Sequence, residues 1–550
     1  MMMKFLQNKS HRGVRHWRRY PALVSFLLAS LTGLGVSAAQ VRGHEPIYAQ
    51  TEQGRVEGQV LDKVNAFRGI RYAAPPVGTL RFQPPTPAIA WRGTRPALDF
   101  PPACPQVPSD DDTEDSDVFM AEDCLGLNIW TPAVDGEKRP VLVWIHGGGF
   151  VVGSTESSWY NGANLAARGD AVVVSINYRL GAWGFLALGP MGDERYRESA
   201  NVALLDQIAA LAWVRDNIAN FGGDPNSVTI FGESAGAASV GDLLAMSQAE
   251  GLFHKAILQS GGPMRDAGRT DRAVALSKRF LAIAGAKSAD DMLKLSMEDL
   301  LVAQEKLFSE SADVGTFGPL VDGVVIKEAP FKTLREGRGH HVPVLVGTTS
   351  EEMRYFVSAI ESDLGDKPAD LLLEQMTDIA GTRAQSIIDV YQREYPEWVD
   401  TVIQIGSDAF LRLPAIDLAE MLRQTQPVYM YLFNYRSNST HKNYGAAHAM
   451  DIPFVFGVLD DPSVIQFTGD DPRRERIAEQ TMDAWVSFAR NGDPTISGGP
   501  DWPVYEPSTR QTMEFGPDMR LVSDPLAAQR KVWGDARATV EQAWTLMNDN

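Results

Sequence analysis

The sequence predicts an α/β fold with a mainly parallel central β-sheet flanked by helices. Short, wholly apolar runs recur along the chain, and amphipathic stretches such as residues 204–220 lie between them. A run without polar alternation suits a strand buried on both faces, as in a parallel sheet. The runs lie at residues 141–145, 171–176, 228–231, 255–258 and 342–346. Strand and helix in regular succession give an α/β fold, because parallel strands need crossover connections.

Residues 1–39 differ from the rest of the chain. They contain six basic residues, and no acidic residue precedes Glu45. An apolar run follows and ends in small residues, which is the layout of a secretory signal peptide cleaved near Ala38 or Ala39. The run has about 15 residues, fewer than the roughly 20 that span a bilayer. We therefore expect export to the periplasm or secretion, with no stable membrane insertion after cleavage; an uncleaved anchor and a twin-arginine signal at Arg18 and Arg19 are alternatives.

The remaining residues, 45–550, are predicted to form a single domain. Two stretches interrupt the rhythm of strands, near residues 271–331 and 366–422, and are rich in helix-forming residues. We interpret both as helical insertions that pack over the sheet. The formal charge of −19 disfavours nucleic acid as a partner, because an acidic protein repels the phosphate backbone.

A sharp turn is predicted after the third apolar run. Residues 232–236 have the sequence Gly-Glu-Ser-Ala-Gly, and residues 237–246 look helical. A strand, a tight turn and a helix form the context in which the G-x-S-x-G motif presents a serine nucleophile. The turn exposes the hydroxyl, and the start of the helix places partial positive charge near a developing oxyanion. Ser234 is therefore the candidate nucleophile, with Glu233 beside it in a supporting role.

Three glycines follow His146 at the end of the first apolar run. Their bare backbone allows N–H groups to approach a substrate closely, and His-Gly-Gly-Gly is the lipase and esterase form of an oxyanion hole. We expect the amides of Gly148, Gly149 and Ala235 to form this hole. The alternatives are a flexible turn and a phosphate-binding loop, but the Lys-Ser/Thr ending of a P-loop is missing.

A serine nucleophile needs an acid and then a histidine later in the chain. Among the later histidines, His448 lies between small residues, whereas His441 lies in a polar run. Residues 347–352 follow the fifth apolar run, which places a carboxylate at the carboxyl end of a strand. Spacing alone does not choose between Glu351 and Glu352.

The chain contains only two cysteines, Cys104 and Cys124. Pairing is the expected state in an exported protein, and two free buried thiols are the alternative. Two cysteines with scattered histidines do not make a structural zinc site. The acidic residues between the cysteines lack the glycine and the terminal glutamate of an EF-hand, so we expect a solvated surface loop rather than a calcium site. These residues are Asp110, Asp111, Asp112, Glu114, Asp115 and Asp117.

Several longer segments of the chain resemble the type-B carboxylesterases, the α/β-hydrolase group that includes carboxylesterases and cholinesterases. The resemblance extends from about Val56 to Trp544. It rests on residues 67–78, 122–130, 177–181, 221–225 and 452–457, together with the serine motif.

The resemblance implies an α/β-hydrolase fold with helical insertions over the active site and a catalytic triad of Ser234, Glu352 and His448. It selects Glu352 because the family's acid is the second acidic residue of a G-x-x-x-[DE]-E segment, although Met353 stands where a glycine is usual. Ser260 matches a family serine that hydrogen-bonds within the triad. The resemblance also implies a disulfide between the two cysteines.

These expectations describe a serine hydrolase that forms an acyl-enzyme on small to medium carboxylic esters. An amide or carbamate hydrolase and a lipase use the same machinery, and a non-catalytic esterase-like binding protein is the least favoured alternative. Cholinesterases hold a quaternary ammonium with a tryptophan in the disulfide loop, where this chain has only Phe119 as an aromatic residue. The expected partner is a small-molecule ester. Triad chemistry needs no cofactor and no metal, and the sequence does not indicate an oligomeric state.

Overall fold

A computed structural model of the protein describes residues 45–107, 118–263, 270–310, 317–357 and 368–534. The predicted signal peptide and the acidic residues 110–117 lie outside these ranges. No helix within them is both long and apolar enough to cross a bilayer.

The strands of the described residues form one sheet in the order β1-β2-β3-β5-β7-β6-β8-β9-β10-β11-β12-β13, with β4 beside β2. They are β1 (Pro46–Gln50), β2 (Arg55–Val60), β3 (Asn65–Arg71), β4 (Thr94–Pro96), β5 (Gly126–Thr131), β6 (Arg139–Ile145), β7 (Val172–Ile176), β8 (Gly223–Glu233), β9 (Lys255–Gln259), β10 (Val344–Thr349), β11 (Val428–Phe433), β12 (Gln511–Phe515) and β13 (Arg520–Ser523).

Parallel pairing extends without interruption from β7 to β12, while β1, β2, β3, β5 and β13 pair with neighbours in antiparallel fashion. The five apolar runs of the sequence fall in β6 to β10. The prediction of a mainly parallel central sheet is therefore confirmed.

Helices flank the sheet. The α-helices of the described residues are α1 (Ala163–Gly169), α2 (Gly181–Phe185), α3 (Val202–Asn217), α4 (Ala235–Ala245), α5 (Thr270–Ile283), α6 (Ala289–Met292), α7 (Met297–Glu310), α8 (Pro330–Arg335), α9 (Arg354–Val357), α10 (Pro368–Ala380), α11 (Ala384–Glu394), α12 (Trp398–Ser407), α13 (Leu413–Leu422), α14 (Ile452–Phe456), α15 (Pro462–Thr468), α16 (Arg473–Asn491) and α17 (Ala527–Trp533). A turn of π-helix, Asp408–Arg412, joins α12 to α13.

The sheet is buried on both faces, which explains its apolar strands. Val143 and Ile145 of β6 belong to one hydrophobic cluster with residues of α3 and α4. Leu142 and Trp144 belong to a second cluster on the opposite face, with residues of α14 and α16. Alternate side chains of a strand point to opposite faces, so a strand between two helical layers needs apolar residues at every position.

The two predicted insertions are largely helical. Residues 271–331 contain α5, α6 and α7, and residues 366–422 contain α10 to α13. Members of both, such as Phe280 and Leu418, join the hydrophobic cluster that includes α3 and α4.

Residues 317–329 form the longest described stretch of the first insertion that lies outside a helix. Oδ1 of Asp322 accepts three backbone hydrogen bonds. The donors are the N–H groups of Val324, Val325 and Ile326, at 2.9, 2.8 and 3.1 Å. An aspartate side chain that binds nearby backbone amides in this way favours a turn over a helix. The prediction of a largely helical insertion therefore does not extend to this stretch.

Candidate active site

The predicted functional residues lie at one edge of the sheet. Five neighbouring parallel strands, β6, β8, β9, β10 and β11, are followed by the loops that carry Gly148, Ser234, Ser260, Glu352 and His448. Ligands of open α/β sheets bind at the carboxyl ends of the strands. The topology therefore gathers residues that are far apart in the sequence.

Ser234 lies in a strained turn between β8 and α4. It has a φ of 55° and a ψ of −121°, which is uncommon for a residue other than glycine. Such a conformation costs about 1–3 kcal/mol and persists only where its surroundings impose it. Here the N–H of Ser234 donates to the carbonyl of Gln259 at 2.9 Å, and its carbonyl accepts the N–H of Ala238 at 2.9 Å. The turn is thus fixed from both sides.

The loop after β6 contacts this turn through two glycines. A Cβ on Gly236 would lie 2.0 Å from the carbonyl oxygen of Ile145, and a Cβ on Gly147 would lie 3.2 Å from Cβ of Ser234. Any larger residue at Gly236 would push the loop and α4 apart. The close approach places the three-glycine loop beside the serine.

Three backbone amides beside Ser234 are available as donors. Among the described residues, no backbone carbonyl accepts the N–H of Gly148, Gly149 or Ala235. Because Ala235 is the first residue of α4, its N–H also has no partner within the helix. The three predicted amides therefore have no backbone acceptor among the described residues.

His146 holds the start of this loop. Its ring is stacked on Tyr178 with the ring centres 4.4 Å apart, and the Tyr178 hydroxyl donates to the His146 carbonyl at 2.7 Å. Burial lowers the pKa of His146 to about 4, so the ring is neutral at physiological pH. His146 supports the loop from within the core.

His448 is held by Glu352. Nδ1 of the imidazole lies 2.6 Å from Oε2 of Glu352, and the other carboxylate oxygen accepts the N–H of Thr349 at 2.8 Å. Both side chains are buried. A carboxylate on Nδ1 fixes the tautomer that carries its proton there, which leaves Nε2 as the basic nitrogen.

Glu351 has a different environment, although it is also buried. Its carboxylate contacts Arg354 at 3.1 Å and Arg436 at 2.5 Å, and it accepts the N–H of Ala446 at 2.8 Å. It therefore anchors the loop that carries His448. Of the two adjacent glutamates, Glu352 is the one that contacts the imidazole.

Glu233 faces the other ring nitrogen. Its Oε1 lies 3.0 Å from Nε2 of His448, without the alignment of a hydrogen bond. Burial raises the pKa of Glu233 to about 8, with His448 opposing the shift. Burial alone would lower the pKa of His448, but the carboxylates of Glu233 and Glu352 outweigh it and raise that pKa to about 9. The two carboxylates thus keep the proton on His448 to higher pH, whereas the charged ring favours the ionised form of Glu233.

Comparison with known proteins identifies the family. The sequence profile described as the carboxylesterase family matches residues 45–533. The chain belongs to the carboxylesterase family. It is an enzyme that hydrolyses carboxylic esters, and the resemblance inferred from the sequence is confirmed.

Individual relatives of this carboxylesterase agree with the family profile. The para-nitrobenzyl esterase of Bacillus subtilis is 36% identical over 491 residues, covering 88% of this chain and 97% of that protein. The liver carboxylesterase of Sus scrofa is 35% identical, covering 88% and 91%. The crystal structure of the carboxylesterase EST55 of Geobacillus stearothermophilus matches with a TM-score of 0.79 at 39% identity, covering 88% and 99%. The α/β-hydrolase fold is thereby confirmed.

Ser260 is buried at the end of β9 in this carboxylesterase, but its hydroxyl has no partner among the described residues. The expected hydrogen bond within the triad is therefore absent here. The oxygens of Glu352 accept hydrogen bonds from Thr349 and from His448 instead.

Asp451 is a further buried acid that sequence reasoning missed. Its Oδ2 accepts the Tyr431 hydroxyl at 2.8 Å and Nε2 of Gln259 at 3.0 Å. Burial raises its pKa to about 6, against the hydrogen bond from Tyr431. One signal was visible, since Asp451 lies three residues after His448 at the start of an apolar segment.

Met353 occupies the position where the family usually has glycine. Its N–H donates to Oγ of Ser407 at 3.0 Å, and its side chain packs against Val357 and Ile403. The extra side chain has its own apolar site and leaves Glu352 in contact with His448.

Proposed function

We propose that this carboxylesterase acts on small to medium carboxylic esters through an acyl-enzyme on Ser234, with His448 as the general base and Glu352 as the residue that orients it. The observation that supports the proposal best is the 2.6 Å contact of Glu352 with Nδ1 of His448. It leaves Nε2 free of a hydrogen bond and on the side of the ring that faces the serine turn.

In the proposed mechanism, Nε2 of His448 takes the proton of the Ser234 hydroxyl as its oxygen attacks the ester carbonyl. The tetrahedral oxyanion accepts hydrogen bonds from the N–H groups of Gly148, Gly149 and Ala235. Each donor of such a hole is worth about 3–4 kcal/mol of the barrier. The intermediate expels the alcohol, which takes the proton from His448. Water then attacks the acyl-enzyme with His448 again as base, and the acid leaves.

The free enzyme needs a small adjustment before this reaction. Nε2 of His448 lies near Glu233, and no hydrogen bond joins it to the Ser234 hydroxyl among the described residues. Such bonds are often long in free enzymes and tighten when substrate binds. Glu233 would then support the imidazolium that forms during catalysis, which is the role we propose for it.

A fluorophosphonate tests the assignment of the nucleophile. We expect one adduct per chain in the intact mass and a labelled peptide that maps to Ser234. Ser260 is a built-in control, because it is a buried serine at the end of the neighbouring strand. Labelling elsewhere, or no labelling of an active preparation, would contradict the proposal.

Aryl and benzyl esters with short to medium acyl chains are the proposed substrates. The name of the Bacillus subtilis relative points to 4-nitrobenzyl esters, and no tryptophan lies between the two cysteines to hold a choline cation. Phe119 of that segment is 71% exposed. In a panel of 4-nitrophenyl esters from acetate to laurate, we expect kcat/KM to be highest for the shorter acyl chains. We also expect kcat/KM for these aryl esters to exceed kcat/KM for butyrylcholine. Preference for emulsified long-chain esters would indicate a lipase, and preference for an anilide or a carbamate would indicate an amide or carbamate hydrolase.

The pH profile tests the electrostatic role of Glu233. We expect Glu233→Gln to move the acidic limb of kcat/KM to lower pH by about one unit, because a neutral amide no longer raises the pKa of His448. The sign follows from the chemistry: His448 acts as a base only when neutral, so activity is lost as pH falls through its pKa. Measurement of kcat/KM from acid to alkaline pH checks this, with the exposed Glu250→Gln as the control. An unshifted limb would show that Glu233 does not act on His448.

Export is also proposed, with residues 1–39 as the signal peptide and a periplasmic or secreted mature enzyme. The disulfide between Cys104 and Cys124 supports it, because such bonds persist in oxidising compartments.

A further inference from the structure

The side chain of Gln106 pairs with both backbone groups of Gly153. Its Oε1 accepts the N–H of Gly153 at 2.8 Å, and its Nε2 donates to the carbonyl of Gly153 at 3.0 Å. Nε2 also donates to the carbonyl of Cys104 at 3.0 Å. The carboxamide thus supplies the donor and acceptor that an adjacent strand would otherwise provide. It joins the segment beside the disulfide to the end of the three-glycine loop.

Gly153 packs directly against the residues that precede the proposed oxyanion hole. A Cβ on Gly153 would lie 2.4 Å from Nδ1 of His146 and 2.8 Å from the carbonyl oxygen of Gly147. With a φ of 115°, Gly153 is also in a conformation that other residues rarely adopt. A shift of Gly153 would therefore be transmitted to His146 and Gly147.

The chain between the hole and Gly153 is a closed turn. The N–H groups of Val151 and Val152 both donate to the carbonyl of Gly148 at 3.0 Å. The carbonyl oxygen of Val152 approaches so closely that a Cβ on Gly148 would lie 2.1 Å from it. Because the turn is this tight, fixing Gly153 also fixes the peptide planes of Gly148 and Gly149.

The other end of the connection is rigid. Cys104 and Cys124 form a disulfide and are buried. The buried side chain of Asn177 makes a second link, since its Nδ2 donates to the carbonyl of Pro102 and its Oδ1 accepts the N–H of Thr155, both at 2.9 Å. Gln106 is therefore anchored to a segment that the disulfide and the side chain of Asn177 hold in place.

We propose that Gln106 is a positioning residue for the oxyanion hole, acting through Gly153 on the turn that holds Gly148 and Gly149. The inference rests on the proposed function, which assigns the hole to these amides. A side chain that only stabilised the disulfide segment would affect the melting temperature. A positioning residue also affects the binding of the tetrahedral oxyanion.

Gln106→Met tests this, because methionine has a similar length and neither donates nor accepts at these distances. We expect kcat to fall roughly tenfold or more with KM within about twofold, since misplaced amides weaken the transition state more than the ground state. The affinity for an alkyl trifluoromethyl ketone, which forms a tetrahedral oxyanion with the serine, should fall by the same factor as kcat/KM. Gln106→Glu keeps the acceptor for the N–H of Gly153 and should lie between the wild type and Gln106→Met.

Gln83→Met is the matched control. Gln83 is also half-buried, and its Nε2 donates to the carbonyl of Arg195 at 3.1 Å, away from the loop. It should leave both kcat and the affinity for the ketone unchanged.

The outcomes separate this inference from the proposed function. Fluorophosphonate labelling of Ser234 in the wild type shows that the proposed function holds, and its failure overturns both. With labelling intact, a Gln106→Met enzyme with unchanged kcat and ketone affinity overturns the role of Gln106 alone, and so does a loss of kcat without a matching loss of ketone affinity. If Gln106→Met does not fold, the same comparison is made with Gln106→Glu.

Discussion

We expect Ser234→Ala to lower kcat for ester hydrolysis by about a million-fold, the loss found when the nucleophile of a serine hydrolase is removed. The hydroxyl oxygen is the only atom of this residue that would bond to the substrate. The fold should be retained, because the turn is held by the backbone hydrogen bonds of residue 234 with Gln259 and Ala238, which alanine keeps. Steady-state hydrolysis of 4-nitrophenyl acetate measures the loss, and thermal unfolding checks the fold.

Ser260→Ala is the matched comparison for that variant. Ser260 also has a positive φ, 52°, and also follows a parallel strand, but its hydroxyl is enclosed and has no partner among the described residues. We expect a far smaller change in kcat than for Ser234→Ala. Near-normal activity of Ser234→Ala would remove Ser234 from the mechanism, and equal losses in the two variants would point to a structural effect of the turns.

The sequence predicted the features that arise from local patterns. An apolar run followed by Gly-Glu-Ser-Ala-Gly requires a strand, a sharp turn and a helix, and β8, Ser234 and α4 follow in that order. The three glycines after β6 are also a local pattern, and they predicted that backbone N–H groups without bulky side chains follow that strand. Because parallel strands end at one edge, local features at the ends of different strands become neighbours without any further information.

Contacts between distant segments were beyond prediction. The approach of Glu233 to Nε2 of His448 depends on the path of the loop after β11. Glu351 holds this loop by accepting a hydrogen bond from the N–H of Ala446. The pairing of Gln106 with Gly153 spans 47 residues and has no periodic signature. Such contacts are set by tertiary packing, and neither propensity nor motif encodes them.

The second large effect is expected for Glu352→Gln, with a fall in kcat of about ten-thousand-fold, as when the acid of another serine triad is replaced by its amide. The carboxylate accepts the Nδ1 proton of His448 at 2.6 Å. An amide can instead present its own N–H to Nδ1, which stabilises the tautomer with the proton on Nε2. That nitrogen then cannot take the proton of Ser234. Single-turnover hydrolysis of a 4-nitrophenyl ester measures the loss.

Glu351→Gln distinguishes catalysis from stability at the adjacent position. Glu351 is buried against Arg354 and holds the N–H of Ala446, so its neutral amide should lower the free energy of unfolding by about 3 kcal/mol, as expected when one partner of a buried ion pair is removed. Its effect on kcat should be much smaller than that of Glu352→Gln, because Glu351 does not contact the imidazole. Both variants are compared by thermal unfolding and by kcat. If Glu352 orients His448 and Glu351 anchors the loop, Glu351→Gln loses more stability and Glu352→Gln loses more kcat. A larger loss of kcat in Glu351→Gln would reverse the two roles, because an acid that only anchors a loop cannot change the tautomer of the base.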